Sequence, residues 1–191
     1  IGHLRVAAHA VRALKLDRLL LIPDRIAPHK EIPSGSPTPE QRLEMIQIAA
    51  SHYEKMEVSD IELRREGPSY SYITVQQIRE LYPDAKLYLL MGTDMFTSFL
   101  SWRNPEQIMK HAALAVMSRG DRGEAQAIEA QKQKIEAMGY EAEVIENKVT
   151  VISSTQLRRL LAFRCAGEFL PEGVLDYIRE HRLYDTRTDW K

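Results

Sequence analysis

Short, nearly continuous apolar runs alternate with amphipathic ones along this chain, and that alternation limits the folds open to it. Arg18-Leu19-Leu20-Leu21-Ile22-Pro23, Lys86 to Met91 and Ala112 to Met117 each read as a buried strand. Strands apolar on successive residues are covered on both faces, as in parallel sheets. Met56 to Leu63 alternates as a half-exposed strand should, and Glu141 to Ile145 and Val149 to Ile152 read as short strands. Helical spacing marks Leu4 to Leu16; Pro39 to His52, with Leu43, Ile46 and Ala50 on one face; and Ser71 to Leu81, with Ile73, Val75, Ile78 and Leu81. Further helices are predicted over Pro105 to His111, Glu124 to Met138, Thr155 to Ala166 and Glu172 to His181. Strand and helix in alternation predict an α/β fold, a doubly wound parallel sheet with helices on both faces. Ligands of such sheets bind beyond the carboxyl ends of strands, here after Ile22, Leu63, Met91, Met117 and Ile152. No repeat, linker or low-complexity tract divides the chain, so a single domain over residues 1–191 is expected.

Composition removes several classes of function. A net charge of −1 gives no global attraction to nucleic acid or to anionic membrane, so any phosphate binding must come from local placement. No apolar run is long enough to span a bilayer. The single Cys165, read as a buried thiol, precludes an internal disulfide and fits a reducing, cytoplasmic compartment. His9, His52, His111 and His181 lack partners at metal-ligand spacing, and no structural metal is expected.

The most telling local pattern is Ile152-Ser153-Ser154-Thr155-Gln156-Leu157-Arg158. It reads as a strand ending at a helix N-terminus, with Ser153 or Ser154 as the cap. Free N–H groups and the helix dipole make such an end an anion site, and Arg158 adds a planar cation one turn inside. Taken alone, the same residues also suit a capped helix that binds nothing.

The motifs, in order, select between these readings. Gly2-His3 stands at the mouth of the first helix, and Ser153-Ser154-Thr155-Gln156-Leu157-Arg158 lies far downstream. This pair resembles the nucleotidylyltransferase superfamily, whose patterns are GxFDPxHxGH and ISSTxIR; Leu157 replaces the usual Ile. Ile22-Pro23 with Ala27-Pro28-His29-Lys30 is similar to IPxxxPPHK, and Arg42-Leu43-Glu44-Met45-Ile46 to RLEML. Ile61-Glu62-Leu63 with Arg65 to Ser71 resembles IELxREGPSYT, and Gly92-Thr93-Asp94 with Trp102 resembles GxD followed by W. Leu170-Pro171 with Val174 to Ile178 and Leu183-Tyr184 resembles LVPxxVxxYIxxxxLY. The resemblance spans essentially the whole chain and points to the bacterial nicotinate-mononucleotide adenylyltransferases.

That resemblance implies a Rossmann-like fold and adenylyl transfer from ATP to nicotinate mononucleotide (NaMN), giving nicotinate adenine dinucleotide (NaAD) and pyrophosphate. It implies His3 and Arg158 as catalytic groups. It places Gly2, His3, Gly92, Asp94, Arg119, Ser153, Ser154, Thr155 and Arg158 around ATP. It places Tyr70, Ser71, Trp102 and Lys30 around NaMN. Asp94 is expected near the adenosine ribose or as a cap of its own loop, and Trp102 either stacks on the nicotinate ring or packs into protein. The family often continues RPGY where this chain has Arg119-Gly120-Asp121-Arg122-Gly123. Mg²⁺ is expected with ATP, bridging phosphate oxygens. Neither nucleic acid nor membrane is an expected partner, and the apolar segment Val174 to Tyr184 suits packing on its own domain or on another subunit. The alternatives are a sister transferase acting on, for example, phosphopantetheine, and a catalytically inactive nucleotide-binding relative. The chain opens Ile1-Gly2-His3-Leu4 with no strand before its first helix. A preceding strand, a Gly-rich turn and the first His of HxGH are therefore expected in the parent protein. A polypeptide starting at Ile1 is expected to be inactive where that parent is active.

Overall fold

The computed structural model describes residues 2–26, 36–118, 122–147, 154–162 and 169–184, and the chain divides into two compact units, residues 1–68 with 149–191 and residues 69–148. Both contain parallel strands, and the fold is α/β with helices on both sides of the strands.

The second unit is organised by three parallel strands in the order β3 (Tyr88–Gly92), β4 (Ala113–Ser118), β5 (Ala142–Glu146). Leu90 lies beside Ala115, and Val116 beside Val144. In β4, Leu114, Ala115 and Val116 are all at 0% exposure, so this central strand is covered on both faces. The cover comes from α3 (Ser71–Leu81) packed with α5 (Pro105–Met109), and from α4 (Thr93–Ser98) packed with α6 (Arg122–Ala137). In α6, Ile128, Gln131 and Ile135 are buried and the polar remainder is largely exposed, as its composition suggests.

Helix α4 and the 3-10 turn Phe99–Ser101 that follows it are absent from the sequence reading, which assigns no element between Gly92 and Asn104. They carry the heart of this core: Phe96 and Phe99 are fully buried, and Leu100 packs beside them at helical spacing. The polar residues that obscure the pattern are turned inward to backbone. Thr97 Oγ1 donates to the Thr93 carbonyl at 3.1 Å, and Ser98 Oγ to that of Asp94 at 2.9 Å. In α3 the predicted boundaries hold, but the buried side chains are Thr74 and Val75, while Leu81 is 63% exposed.

The first unit contains α1 (Gly2–Ala13), with Leu4, Ala7 and Ala10 buried, and the parallel pair β1 (Leu19–Leu21) and β2 (Met56–Val58). Strand β2 is shorter than predicted. After Val58 the chain turns, with Leu63 N–H donating to the Asp60 carbonyl at 2.8 Å, so Asp60 to Leu63 are not in a ladder. Helix α2 (Pro39–Ala50) starts from a capping box: Gln41 N–H donates to Thr38 Oγ1, and Thr38 N–H to Gln41 Oε1. Its most buried residues are Met45 and Ala50; Leu43 and Ile46, predicted as the apolar face, are only half-buried. The reason is the partner. Met45 packs with Val174 and Ile178 of α8 (Glu172–Glu180), and Leu161 of α7 (Ser154–Ala162) joins them. The apolar C-terminal segment thus packs on α2 of its own chain. The predicted strand Val149 to Ile152, the end of the helix predicted to Ala166, and Cys165 lie outside the described residues.

Two outcomes test this packing. Phe99→Ala empties a fully buried site and is expected to cost about 3–5 kcal/mol in denaturant unfolding, whereas Leu81→Ala stays within about 0.5 kcal/mol. The second concerns α8. Tyr177 donates its phenol to the Glu44 carboxylate on α2, which, with burial and the charges of Glu44 and Glu180, pushes its pKa from 10.0 to about 12. The folded state therefore holds the phenol's proton more tightly than the unfolded state. This contribution is complete below pH 10, is lost as pH rises toward 12, and is expected to be absent from Tyr177→Phe when melting is followed across that range.

Candidate active site

In the second unit, predicted site residues gather at two helix starts. Gly92 ends β3 and is the N-cap of α4, with no neighbour within 4 Å of where a Cβ would stand. Asp94 lies exposed in the first turn of α4, and Thr93 Oγ1 beside it donates to Glu124 Oε2 at 3.1 Å. Tyr70 is the N-cap of α3, and its side chain does not cap the helix. Its ring instead receives the Arg103 guanidinium, centred 4.7 Å away, and its hydroxyl accepts from Arg103 Nη1 at 3.1 Å. Ser71 is the first residue of α3. Trp102 follows the 3-10 turn; its ring leans on Phe99 at 5.3 Å, and the residue is half-buried against the core. Tyr70, Ser71, Trp102, Gly92 and Asp94 thus all belong to this unit.

In the first unit, Gly2 and His3 open α1. His3 keeps an exposed surface, yet burial of part of its ring holds its pKa below the ordinary histidine value. The open surface limits how far that shift runs. Burial disfavours the imidazolium and favours the neutral ring, which has one N–H to donate. The backbones of Ser154, Thr155 and Arg158 lie in α7, which begins at Ser154. Ser153, Arg119 and Lys30 lie outside the described residues.

Two arginines that the sequence reading gives no role shape the loops of the first unit. Arg42 of α2 donates through Nη2 to the carbonyls of Asp24 and Arg25, and through Nη1 to that of Pro37. Arg25 donates to the Arg65 carbonyl at 3.0 Å and reaches that of Leu63 at 3.5 Å. Together they tie the segment after β1 to the start of α2 and to the turn after β2. Arg42 opens the RLEM motif, so the motif marked it; nothing in the sequence says that its targets are carbonyls. Among the described residues no group of three His, Cys, Asp or Glu side chains is placed to hold a metal ion, and no helix is long and apolar enough to cross a membrane.

The cytidylyltransferase-like family pattern matches residues 1–160. A probable nicotinate-nucleotide adenylyltransferase of Shewanella sp. (strain ANA-3) is 35% identical, over 96% of this chain and 92% of that protein. One from Dictyoglomus turgidum is 34% identical, over 96% and 88%. Among solved structures, Plasmodium falciparum nicotinic acid mononucleotide adenylyltransferase complexed with NaAD superposes with a TM-score of 0.73 at 18% identity, over 96% of this chain and 90% of that one, a likeness of fold.

Arg42→Met keeps the stem of the side chain and removes three carbonyl contacts. It is expected to lower unfolding free energy by about 1–3 kcal/mol, with protease cutting between Asp24 and Pro37 accelerated.

Proposed function

The chain belongs to the cytidylyltransferase-like family and, within it, to the nicotinate-nucleotide adenylyltransferases, and from that premise we propose that it transfers the adenylyl group of ATP to nicotinate mononucleotide. The observation that carries this reading is identity of about a third, sustained over 96% of the chain, to relatives named for that reaction. In the step itself an NaMN phosphate oxygen attacks the α-phosphorus of ATP. The new P–O bond forms as the bond to the β-phosphate oxygen breaks, and pyrophosphate leaves with the electron pair. No covalent enzyme intermediate is needed, so the protein's work is positioning and charge stabilisation.

His3 donates its N–H to the α-phosphate oxygens, a role that suits a ring kept neutral. Arg158, with Ser153, Ser154 and Thr155, stabilises the ATP phosphates; Gly2, Gly92 and Arg119 line their approach, and Asp94 accepts from the ribose hydroxyls. Tyr70, Ser71, Trp102 and Lys30 serve the acceptor. Mg²⁺ enters on the phosphate oxygens of ATP as part of the substrate, neutralising charge there. Residues 1–191 belong to one nucleotidylyltransferase domain, without nucleic acid or membrane as partner; the single cysteine fits a cytoplasmic setting, and self-association is open to the exposed faces.

Pyrophosphate release by the full-length parent with ATP and Mg²⁺ tests this reading, comparing NaMN, nicotinamide mononucleotide (NMN) and phosphopantetheine as acceptors. Release is expected with NaMN, and His3→Ala is expected to lower kcat by about 10²–10³ without unfolding the chain. Turnover with phosphopantetheine alone would place the chain with the sister transferases. Binding of ATP and NaMN without turnover would make it a nucleotide-binding relative.

A further inference from the structure

We infer that Arg103 is a specificity-determining residue of the acceptor site, a fixed cation that favours a pyridine mononucleotide bearing a carboxylate over one bearing a neutral carboxamide. The inference rests on the adenylyl-transfer reading above and concerns the ring substituent of the acceptor.

Arg103 follows Trp102 directly in the chain, and its side chain contacts Tyr70, a second residue assigned to the acceptor, from a distant part of the sequence. Its base is held on both sides. Trp102 leans on the buried Phe99, and on the other side Asn104 adopts a left-handed φ of 52° before Pro105 begins α5. The Tyr70 ring holds the guanidinium face, and the Tyr70 hydroxyl takes one of its five N–H donors. The remaining donors keep the planar fork that matches a carboxylate. Among the described residues no carboxylate pairs with Arg103, so none of them cancels its charge. Preorganisation of this kind lowers the entropy lost when a ligand pairs with the cation.

The two acceptors differ at the ring by a single charge. A carboxamide can still take one hydrogen bond from Arg103, but the attraction between full charges is lost. A charge-assisted pair in a partly exposed site discriminates by about tenfold.

The test compares kcat/KM for NaMN and NMN in the full-length parent as wild type and in its Arg103→Leu and Arg103→Lys variants. Arg103→Leu is expected to lose about tenfold with NaMN, mostly in KM, and less than about twofold with NMN. Arg103→Lys is expected to recover part of the NaMN loss. Equal losses with both acceptors would make the residue a structural tie between α3 and the turn, and no loss would make it a bystander; either overturns the inference. A wild type that forms no dinucleotide with either acceptor overturns the transfer reading instead. Calorimetric binding of the two mononucleotides then decides separately: a preference for NaMN that vanishes in Arg103→Leu upholds the role of Arg103, and equal binding ends it.

Discussion

A parallel strand with apolar side chains on both faces must be covered twice, and β4 meets that demand more fully than any other described strand. Leu114, Ala115 and Val116 have no exposed surface, and Met117 and Ser118 have very little. Helices must then lie on either side, and each strand must return through a crossover rather than a hairpin. The register follows: Gly92 lies beside Met117, and Met117 beside Ile145, so the carboxyl ends of three strands come level. Helix α4 begins at the very next residue after Gly92, and its Phe96 and the following Phe99 plug the core beneath that edge. The placement of Asp94 and Trp102 is thus a by-product of how β4 is buried.

Long periodic segments were legible from sequence, and short ones were not. Ser71–Leu81 carries eleven residues of consistent helical pattern, and its ends match the reading. Helix α4 has six residues, four of them Thr, Asp or Ser, and needs its neighbours before it is worth forming. Met56 to Leu63 alternates well enough for eight residues of strand, but β1 offers a ladder of three. Which face of a helix is buried was also beyond sequence alone: α2 turns Met45 inward because α8 lies against it. Of the candidate site, the motif residues were legible through resemblance; composition and spacing alone would have left Gly2-His3 as a helix start and Trp102 as core.

Positive charge in this chain is placed locally, since the total is −1. Several arginines end on main-chain oxygen. Arg79 reaches the carbonyls of Tyr82, Pro83, Ala85 and His111, closing the C-terminal end of α3. Arg103 differs, resting on an aromatic ring with part of its donor set unused.

The carbonyl contacts of Arg25 and Arg42 have a corollary for substitution. Every amino acid carries the same main-chain oxygen, so a guanidinium that grips carbonyls is blind to the side chains it holds. A substitution at Asp24, Pro37 or Leu63 therefore leaves in place the oxygen that the guanidinium holds.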